Sequence, residues 1–289
     1  MSEVVTRFAP SPTGGLHLGH AWSALFAEAA ARAAGGRFLL RLEDIDESRC
    51  RPEFAAAILD DLRWLGLVWE EPVRRQSQHM ADYRAALARL ETQGLIYPCF
   101  CTRTDIAREI AQSASAPHGP DGPLYPGICR HMSARTRAER QGRGDAYSLR
   151  LDVEKAIHAA GGPLYWHDRA QGRIPARPQD LGDVVLARKE IPTSYHLAVT
   201  LDDHSQGVTL VTRGEDLFHA THIHRLLQAL LGLDVPDYHH HKLLTDAQGK
   251  RFAKRDKAQT LAALRQSGVS PAGVRNMINT AANAPIQGA

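Results

Sequence analysis

The sequence predicts an α/β protein whose centre is a doubly wound, Rossmann-like parallel sheet. Strand-like apolar runs alternate with amphipathic helix-like runs in residues 1–95, and again in residues 191–245. Such alternation is typical of parallel sheets with crossover helices. Residues 96–190 are rich in turn formers, which indicates an inserted subdomain, and residues 246–289 carry a basic loop and a short helical segment. We therefore expect one sheet whose two halves are separated by an insertion.

The individual elements follow from apolar periodicity and from the glycine and proline residues at their ends. The expected strands are Val4–Ala9, Arg37–Leu42, Tyr147–Val153, Val184–Arg188, Tyr195–Leu201 and Val208–Thr212. The expected helices are His17–Ala34, Pro52–Leu65, His79–Gln93, Leu217–Leu231 and Val269–Ala282. The acidic residues that begin at Glu43 follow a strand directly, at the sheet edge where open α/β folds bind ligands.

Composition narrows the class of protein. The chain has 289 residues and 43% hydrophobic content, which is typical of a globular protein. Its formal net charge of +3 permits a nucleic-acid partner but does not require one. Four cysteines are too few for a disulfide framework, and Met1–Arg7 has no apolar signal-peptide core. The Ala-rich stretch Ala21–Ala34 carries charges and is too short to cross a bilayer. We expect a cytoplasmic protein without a membrane partner.

The segment Arg7–His20 predicts a phosphate-binding corner. It joins a strand to a Pro/Gly-rich turn, and an H-x-G-H sequence (His17, Gly19, His20) opens the following helix. A helix N-terminus offers unpaired N–H groups and a positive dipole end, and two histidines there can stabilise charge on a nucleotide triphosphate.

Three cysteines in the insertion form a candidate metal site. Cys99 and Cys101 make a C-x-C pair, and Cys129 follows downstream with Tyr125 four residues before it. Thiolates are good zinc ligands, and a structural site needs four donors, so Tyr125 can complete the set. The alternative is three reduced structural cysteines.

Charged residues at predicted strand ends suit an amino-acid ligand with two carboxylates. Arg7 and Arg213 can bind carboxylates through their guanidinium forks, Glu43 can accept an ammonium group, and Tyr195 can add a hydroxyl. The alternative is a set of structural ion pairs. The basic run Lys250–Ala258 can clamp a polyphosphate, or it is an exposed loop.

Histidines cluster late in the chain, at His219, His222, His224 and the run His239–His241. His219 and His222 are spaced to share a helix face. No carboxylate or cysteine pattern completes a known metal motif around them, so we expect no functional metal there.

These motifs together resemble class I aminoacyl-tRNA synthetases, and F-A-P-S-P-T-G resembles the glutamyl branch. The resemblance implies ATP binding by His17, Gly19, His20 and Lys254, with His17, His20 and Lys254 as the catalytic residues. It implies a zinc site of Cys99, Cys101, Tyr125 and Cys129. It implies glutamate binding by the following residues: Arg7, Phe8, Ala9, Pro10, Ser11, Glu43, Tyr195 and Arg213. The second family signature, K-[LM]-S-K-[RS], corresponds to Arg251–Arg255 and departs from it, although Lys254 is retained.

The short segment after Arg255 leaves no room for an anticodon-binding domain. In this the chain resembles the glutamyl-queuosine tRNA(Asp) synthetases, together with its Asp-Asp-His-Ser-Gln-Gly-Val string. That resemblance implies Mg²⁺-ATP, L-glutamate and queuosine-bearing tRNA(Asp) as partners, and we expect a monomer. A truncated glutamyl-tRNA synthetase, a glutaminyl enzyme, a small-molecule adenylyltransferase and a non-catalytic RNA-binding module are the alternatives.

Overall fold

A computed structural model describes residues 3–112, 118–120, 122–244 and 259–282 of the chain. Its first half is a three-stranded parallel sheet with helices packed against it. In chain order the elements are β1 (Val5–Phe8), α1 (Leu18–Ala33), β2 (Arg37–Leu42), α2 (Pro52–Trp64), β3 (Glu70–Arg75) and α3 (Met80–Thr92). The predicted strands and helices of this half are confirmed, with their ends shifted by about one residue, as is usual for element boundaries.

The inserted segment builds a small antiparallel sheet in which β7 pairs with both β4 and β10. Its elements are β4 (Ile96–Cys99), α4 (Arg103–Gln112), β5 (His118–Gly119), β6 (Gly122–Pro123), α5 (Ala134–Gly142), β7 (Ser148–Leu151), α6 (Val153–Ala159), β8 (Tyr165–Asp168), β9 (Gly172–Pro175) and β10 (Val185–Ala187). Strands β8 and β9 form a hairpin that is not part of this small sheet. It belongs to the sheet of the second half.

The second half continues the parallel sheet, because β11 pairs with β12 and β12 pairs with β8 in parallel register. Its elements are α7 (Tyr195–Ser205), β11 (Leu210–Gly214), α8 (Ala220–Leu231), β12 (Asp237–His241), α9 (Leu261–Gln266) and α10 (Pro271–Ala282). The two halves meet at β1 and β11, where the Thr209 N–H donates to the Val5 carbonyl oxygen at 3.0 Å. Strand order reverses at this seam, which is where doubly wound sheets bind ligands.

The C-terminal helices complete the core of the first half. Leu25 of α1, Ile58 of α2, Leu264 of α9 and Ile278 of α10 are buried in one apolar cluster. Burial of each such side chain stabilises the fold by about 1.5–3 kcal/mol. Helices α9 and α10 therefore anchor the sheet of the first half. Within the described ranges, no helix is long and apolar enough to cross a membrane.

The predicted strand at Tyr195–Leu201 is wrong, because these residues form the first turns of helix α7. Aromatic and β-branched residues favour a strand only when a pleated partner is available. Here the segment packs as a helix, with Leu197 and Ala198 fully buried, and it continues to Asp202 and Asp203. Those two carboxylates are buried at its C-terminal end, where they accept hydrogen bonds from several arginines.

Several further elements have no prediction, among them β3, β12 and α4. Strand β3 is polar and contains Pro72, which an edge strand tolerates. Strand β12 is mostly histidine and shows no apolar alternation. Helix α4 lies where turn formers alone are expected, although its half-buried Ile106 and Ile110 share one face by i,i+4 spacing.

Candidate active site

A cavity of about 480 Å³ opens where β1 and β11 meet the N-terminus of α1. It is lined by all of the predicted binding residues that the structure describes: Arg7, Phe8, Ala9, Pro10, Ser11, His17, Gly19, His20, Glu43, Tyr195 and Arg213. Lys254 and the Arg251–Arg255 signature lie outside the described residues. Residues that are separated in the sequence by up to two hundred positions therefore share one cavity.

The same cavity has walls that the sequence analysis missed: Trp22, Ser23, Thr212, Gly214, Asp216, Leu217, His241, Leu243 and Leu244. The position of Trp22 and Ser23 one turn after H-x-G-H was the available signal. Gly214 is closely packed, since a Cβ there would lie 2.5 Å from Asp216 Oδ1 and 2.6 Å from Leu243 Cδ2, and both side chains would have to shift.

His17 and His20 cap helix α1 reciprocally. The Gly19 N–H donates to His17 Nδ1 at 3.1 Å, and the His17 N–H donates to His20 Nδ1 at 3.2 Å. A ring nitrogen that accepts a hydrogen bond carries no proton, so each neutral ring is protonated on Nε2. The cap thus fixes both tautomers in the form that can donate Nε2–H to a phosphate oxygen at the helix N-terminus.

The segment after the basic loop returns to this corner. Thr260 forms a β-bridge with His17, and the Leu261 N–H donates to the Leu16 carbonyl oxygen at 2.8 Å. This contact places Thr260 and the start of helix α9 beside the H-x-G-H turn.

Arg7 is held from behind by a buried carboxylate. Its Nε donates to Asp203 Oδ1 at 2.9 Å and its Nη2 to Asp203 Oδ2 at 3.3 Å. Arg41, which is fully buried, donates to the same Asp203 Oδ1 at 2.8 Å and to Glu43 Oε1 at 3.2 Å. Burial works against the Asp203 carboxylate, but Arg7 and Arg41 outweigh it and hold the pKa of Asp203 below its usual value. Arg41 therefore joins Asp203 to the cavity residue Glu43.

Replacing Arg41 with Met should lower the free energy of unfolding by about 3–5 kcal/mol, because it leaves Asp203 and Glu43 as buried charges with fewer partners. The measurement is the urea midpoint, with Arg37→Met as the matched control. Arg37 lies on the same strand, but its ion pair with Glu70 is exposed, and such pairs contribute about 0–1 kcal/mol. Equal losses in the two variants would contradict this account of the network.

Arg213 differs from these arginines in having only uncharged partners. Its Nη1 donates to Tyr195 Oη and to His224 Nδ1, both at 3.2 Å, and its Nη2 donates to Thr221 Oγ1. No carboxylate of the described residues forms an ion pair with Arg213, although the residue is 6% exposed. A buried cation without a counter-ion at a cavity wall is suited to an anionic ligand.

The acidic and hydroxyl groups of the cavity are also shifted by their surroundings. Burial raises the pKa of Glu43, and this effect exceeds the opposing influence of Arg41 and Arg7. Burial likewise raises the pKa of the Tyr195 hydroxyl, which keeps it protonated as a donor. Glu43 and Tyr195 line the same cavity as Arg7 and Arg213.

In the insertion, the three predicted cysteines converge. The Sγ atoms of Cys99, Cys101 and Cys129 lie within 4.8 Å of one another, so the cluster can hold a metal ion. The Tyr125 hydroxyl lies 3.3 Å from Cys99 Sγ and 3.6 Å from Cys101 Sγ. The hydrogen bond from Cys129 lowers the pKa of Cys99 to about 4, which favours one thiolate in the cluster. This donor set fits a soft divalent ion.

Comparison with known proteins gives consistent matches. Residues 3–284 match the family described as tRNA synthetases class I (E and Q), catalytic domain. The glutamyl-Q tRNA(Asp) synthetase of Rhodobacter capsulatus is 54% identical over 95% of this chain and 99% of its own length. The one of Nocardia farcinica is 46% identical over 96% of this chain and 85% of its own length.

Among solved structures, a glutamate tRNA ligase from Elizabethkingia meningosepticum in complex with its amino acid has a similar fold. Its TM-score is 0.76 and its sequence identity is 26%, over 97% of this chain. This chain spans 60% of the length of that ligase.

Proposed function

The chain belongs to the class I tRNA synthetases for glutamate and glutamine, and within them to the glutamyl-Q tRNA(Asp) synthetases, and from this premise we propose its reaction. The protein activates L-glutamate with Mg²⁺-ATP and transfers the glutamyl group to the queuosine base of tRNA(Asp). It works in the cytoplasm, as a monomer. The observation that carries the proposal is Arg213, a buried cation without a counter-ion among the described residues, in the same cavity as the two capped histidines.

Glutamate binding uses the charge pattern of the cavity. Arg213 and the Tyr195 hydroxyl bind one carboxylate, and Arg7 orients the other from its place against Asp203. Glu43 accepts the ammonium group, and the positive charge of the ligand then returns the Glu43 pKa towards its usual value.

In the first step, a glutamate α-carboxylate oxygen attacks the α-phosphorus of ATP, and the bond to pyrophosphate breaks. His17 and His20 donate their Nε2–H groups to phosphate oxygens, and Lys254 supplies a further positive charge in this proposal. No covalent enzyme intermediate is needed, because catalysis rests on positioning and electrostatic stabilisation. In the second step, a queuosine hydroxyl attacks the activated carbonyl, an ester forms, and AMP leaves.

The metal in this scheme is a structural zinc ion held by Cys99, Cys101, Cys129 and Tyr125, as the donor set favours. It would fix the insertion as a platform for RNA. Arginines pack on aromatic rings of this region: Arg150 lies over the ring of Tyr125 and Arg140 over that of Phe100.

Replacing Cys101 with Ser should release most of the metal and loosen the insertion, while the main sheet keeps its fold. The measurement is zinc content per chain, together with thermal unfolding. Cys50→Ser is the matched control, since Cys50 lies outside the cluster. Wild-type protein purified without zinc, or a Cys101→Ser variant that retains it, would contradict the assignment.

The acceptor is tested with labelled glutamate and four tRNA(Asp) samples, with or without queuosine and with or without the 3′-terminal adenosine. We expect labelling of both queuosine samples, including the one that lacks the terminal adenosine, and of neither unmodified sample. Labelling that requires the terminal adenosine instead would show a truncated glutamyl-tRNA synthetase. Absence of both transfer and glutamate-dependent ATP–pyrophosphate exchange would favour a non-catalytic RNA-binding module.

A further inference from the structure

A histidine and an aspartate stand behind Arg213, on its side away from the cavity. His240 on β12 accepts a hydrogen bond at Nε2 from Arg213 Nε, at 3.2 Å. Its other ring nitrogen, Nδ1, lies 2.7 Å from Asp168 Oδ2 on the neighbouring strand β8. Asp168 is fully buried and His240 is 7% exposed. Neither residue lines the cavity.

The chemistry of arginine fixes the proton on His240. A guanidinium only donates, so His240 Nε2 must accept and carries no proton. Thr221 Oγ1 lies 3.3 Å from the same nitrogen and can donate to it as well. The single proton of the neutral ring therefore sits on Nδ1 and is donated to Asp168. Burial lowers the pKa of His240 to about 4, which agrees with a neutral ring.

The Asp168 carboxylate is itself fixed by several hydrogen bonds. Its Oδ1 accepts from the Ala170 and Gln171 N–H groups at 2.9 Å and 3.1 Å, while its Oδ2 also accepts from the His240 N–H at 3.2 Å. Aromatic rings enclose His240: Tyr238 stacks on it at 6.0 Å between ring centroids, and Phe218 meets it edge-on at 5.1 Å. These contacts hold the imidazole in one orientation.

We propose that His240, held by Asp168, is a positioning residue for amino-acid recognition, which fixes the Arg213 guanidinium in the orientation that receives the substrate carboxylate. The inference rests on the proposed function, because it assigns Arg213 to glutamate. All of the hydrogen-bond partners of Arg213 among the described residues are neutral. The orientation of its guanidinium therefore depends on directional hydrogen-bond acceptors rather than on an ion pair.

Substitutions of His240 and Asp168 should differ in their effect on the orientation of Arg213. His240→Leu removes the acceptor, so Arg213 is no longer aimed and its Nε–H loses its partner. His240→Gln keeps an amide oxygen that can accept from Arg213 and an NH₂ group that can donate to Asp168. Both Asp168 carboxylate oxygens accept backbone N–H groups. In either orientation of its amide, Asp168→Asn therefore places an NH₂ group against an N–H donor.

The test is glutamate-dependent ATP–pyrophosphate exchange, with KM measured separately for glutamate and for ATP. We expect His240→Leu to raise KM for glutamate by at least about tenfold, equivalent to about 1.4 kcal/mol, with KM for ATP within about twofold of wild type. His240→Gln should recover most of the loss. His239→Gln is the matched control, because that neighbour packs on Phe26 instead. Unchanged KM for glutamate, or equal rises for glutamate and ATP, would overturn the inference.

A second measurement uses the wild-type protein and does not depend on the variants folding. ¹⁵N NMR of the histidine side chains should show His240 protonated on Nδ1 and unprotonated on Nε2 at pH 7.5. Protonation on Nε2 would contradict the role of His240 as an acceptor for Arg213. The proposed function fails separately: wild-type protein that does not activate glutamate at all refutes the assignment of the cavity, whatever the tautomer of His240.

Discussion

Replacing His20 with Asn should lower the rate of glutamate-dependent ATP–pyrophosphate exchange by about 10²–10³-fold, with little change in thermal stability. The expected size is that of removing one preorganised donor from a developing oxyanion. The stability is retained because the Asn side-chain oxygen can take the place of His20 Nδ1, which accepts from the His17 N–H at 3.2 Å. Asparagine is also a favoured residue for such local backbone contacts.

The converse variant, His20→Gln, separates the two roles of the ring. A glutamine amide reaches far enough to present an N–H near the position of Nε2, but it lacks the short-range acceptor at the Nδ1 position. We therefore expect a smaller loss of rate than for Asn, with a stability loss of about 0.5–2 kcal/mol from the weakened helix cap. The two readouts are initial exchange rates and urea midpoints.

An equal loss of rate in the Asn and Gln variants, with wild-type stability in both, would mean that His20 acts through bulk or charge and not through a directed N–H. Full activity of the Asn variant would remove His20 from the proposed phosphate-binding role. Either result leaves the reciprocal cap intact as a structural feature, because it is observed in the backbone contacts of His17 and Gly19.

The phosphate corner could be predicted because all of its determinants are local. A strand, a Pro/Gly turn and a capped helix are encoded within Arg7–His20, and the structure has them at the expected places. The gathering of Glu43, Tyr195 and Arg213 in one cavity was predicted from residue chemistry and family resemblance together. Their individual roles stay predictions until variants are measured.

What could not be predicted depends on long-range partners. Arg41 reads as one more polar residue in a buried strand, and only the fold brings Asp203, 162 positions away, to its guanidinium. The Asp168–His240 contact likewise joins positions 72 apart. Helix α7 was mistaken for a strand for the same reason, since the packing around Leu197 overrides local propensity.

The burial of several histidines predicts that the folded state loses stability in acid. Burial lowers the pKa of His196, His222 and His240 to about 4, and that of His224 well below its usual value. Each has an ordinary pKa of about 6.5 in the unfolded chain. As pH falls below about 6.5, the unfolded chain therefore takes up protons that the folded chain does not, and the folded state loses stability.

Each such histidine changes the free energy of unfolding by up to about 1.4 kcal/mol per pH unit, so four together approach about 5 kcal/mol per pH unit near pH 5. The contribution is fully present above about pH 6.5 and is lost as pH falls towards 4. Glu43 acts in the opposite direction, because its raised pKa lets the folded state gain a proton first. Asp61 acts in the same direction as Glu43, because burial raises its pKa as well. Two carboxyl groups offset at most two of the four histidines, so acid should unfold the protein above pH 4.

Urea midpoints at pH 7.5, 6.5 and 5.5 test this directly, with the slope against pH reporting the number of protons taken up on unfolding. The double variant His196→Gln and His224→Gln keeps a hydrogen-bonded pair next to Arg213 but removes two titrating rings. Its slope should be shallower by about two protons, whereas His131→Gln, at an exposed site, serves as the control for histidine number. An unchanged slope in the double variant would show that the His196–His224 pair takes up protons in the folded state as readily as in the unfolded chain. That result would contradict the burial of the two rings as a neutral pair beside Arg213.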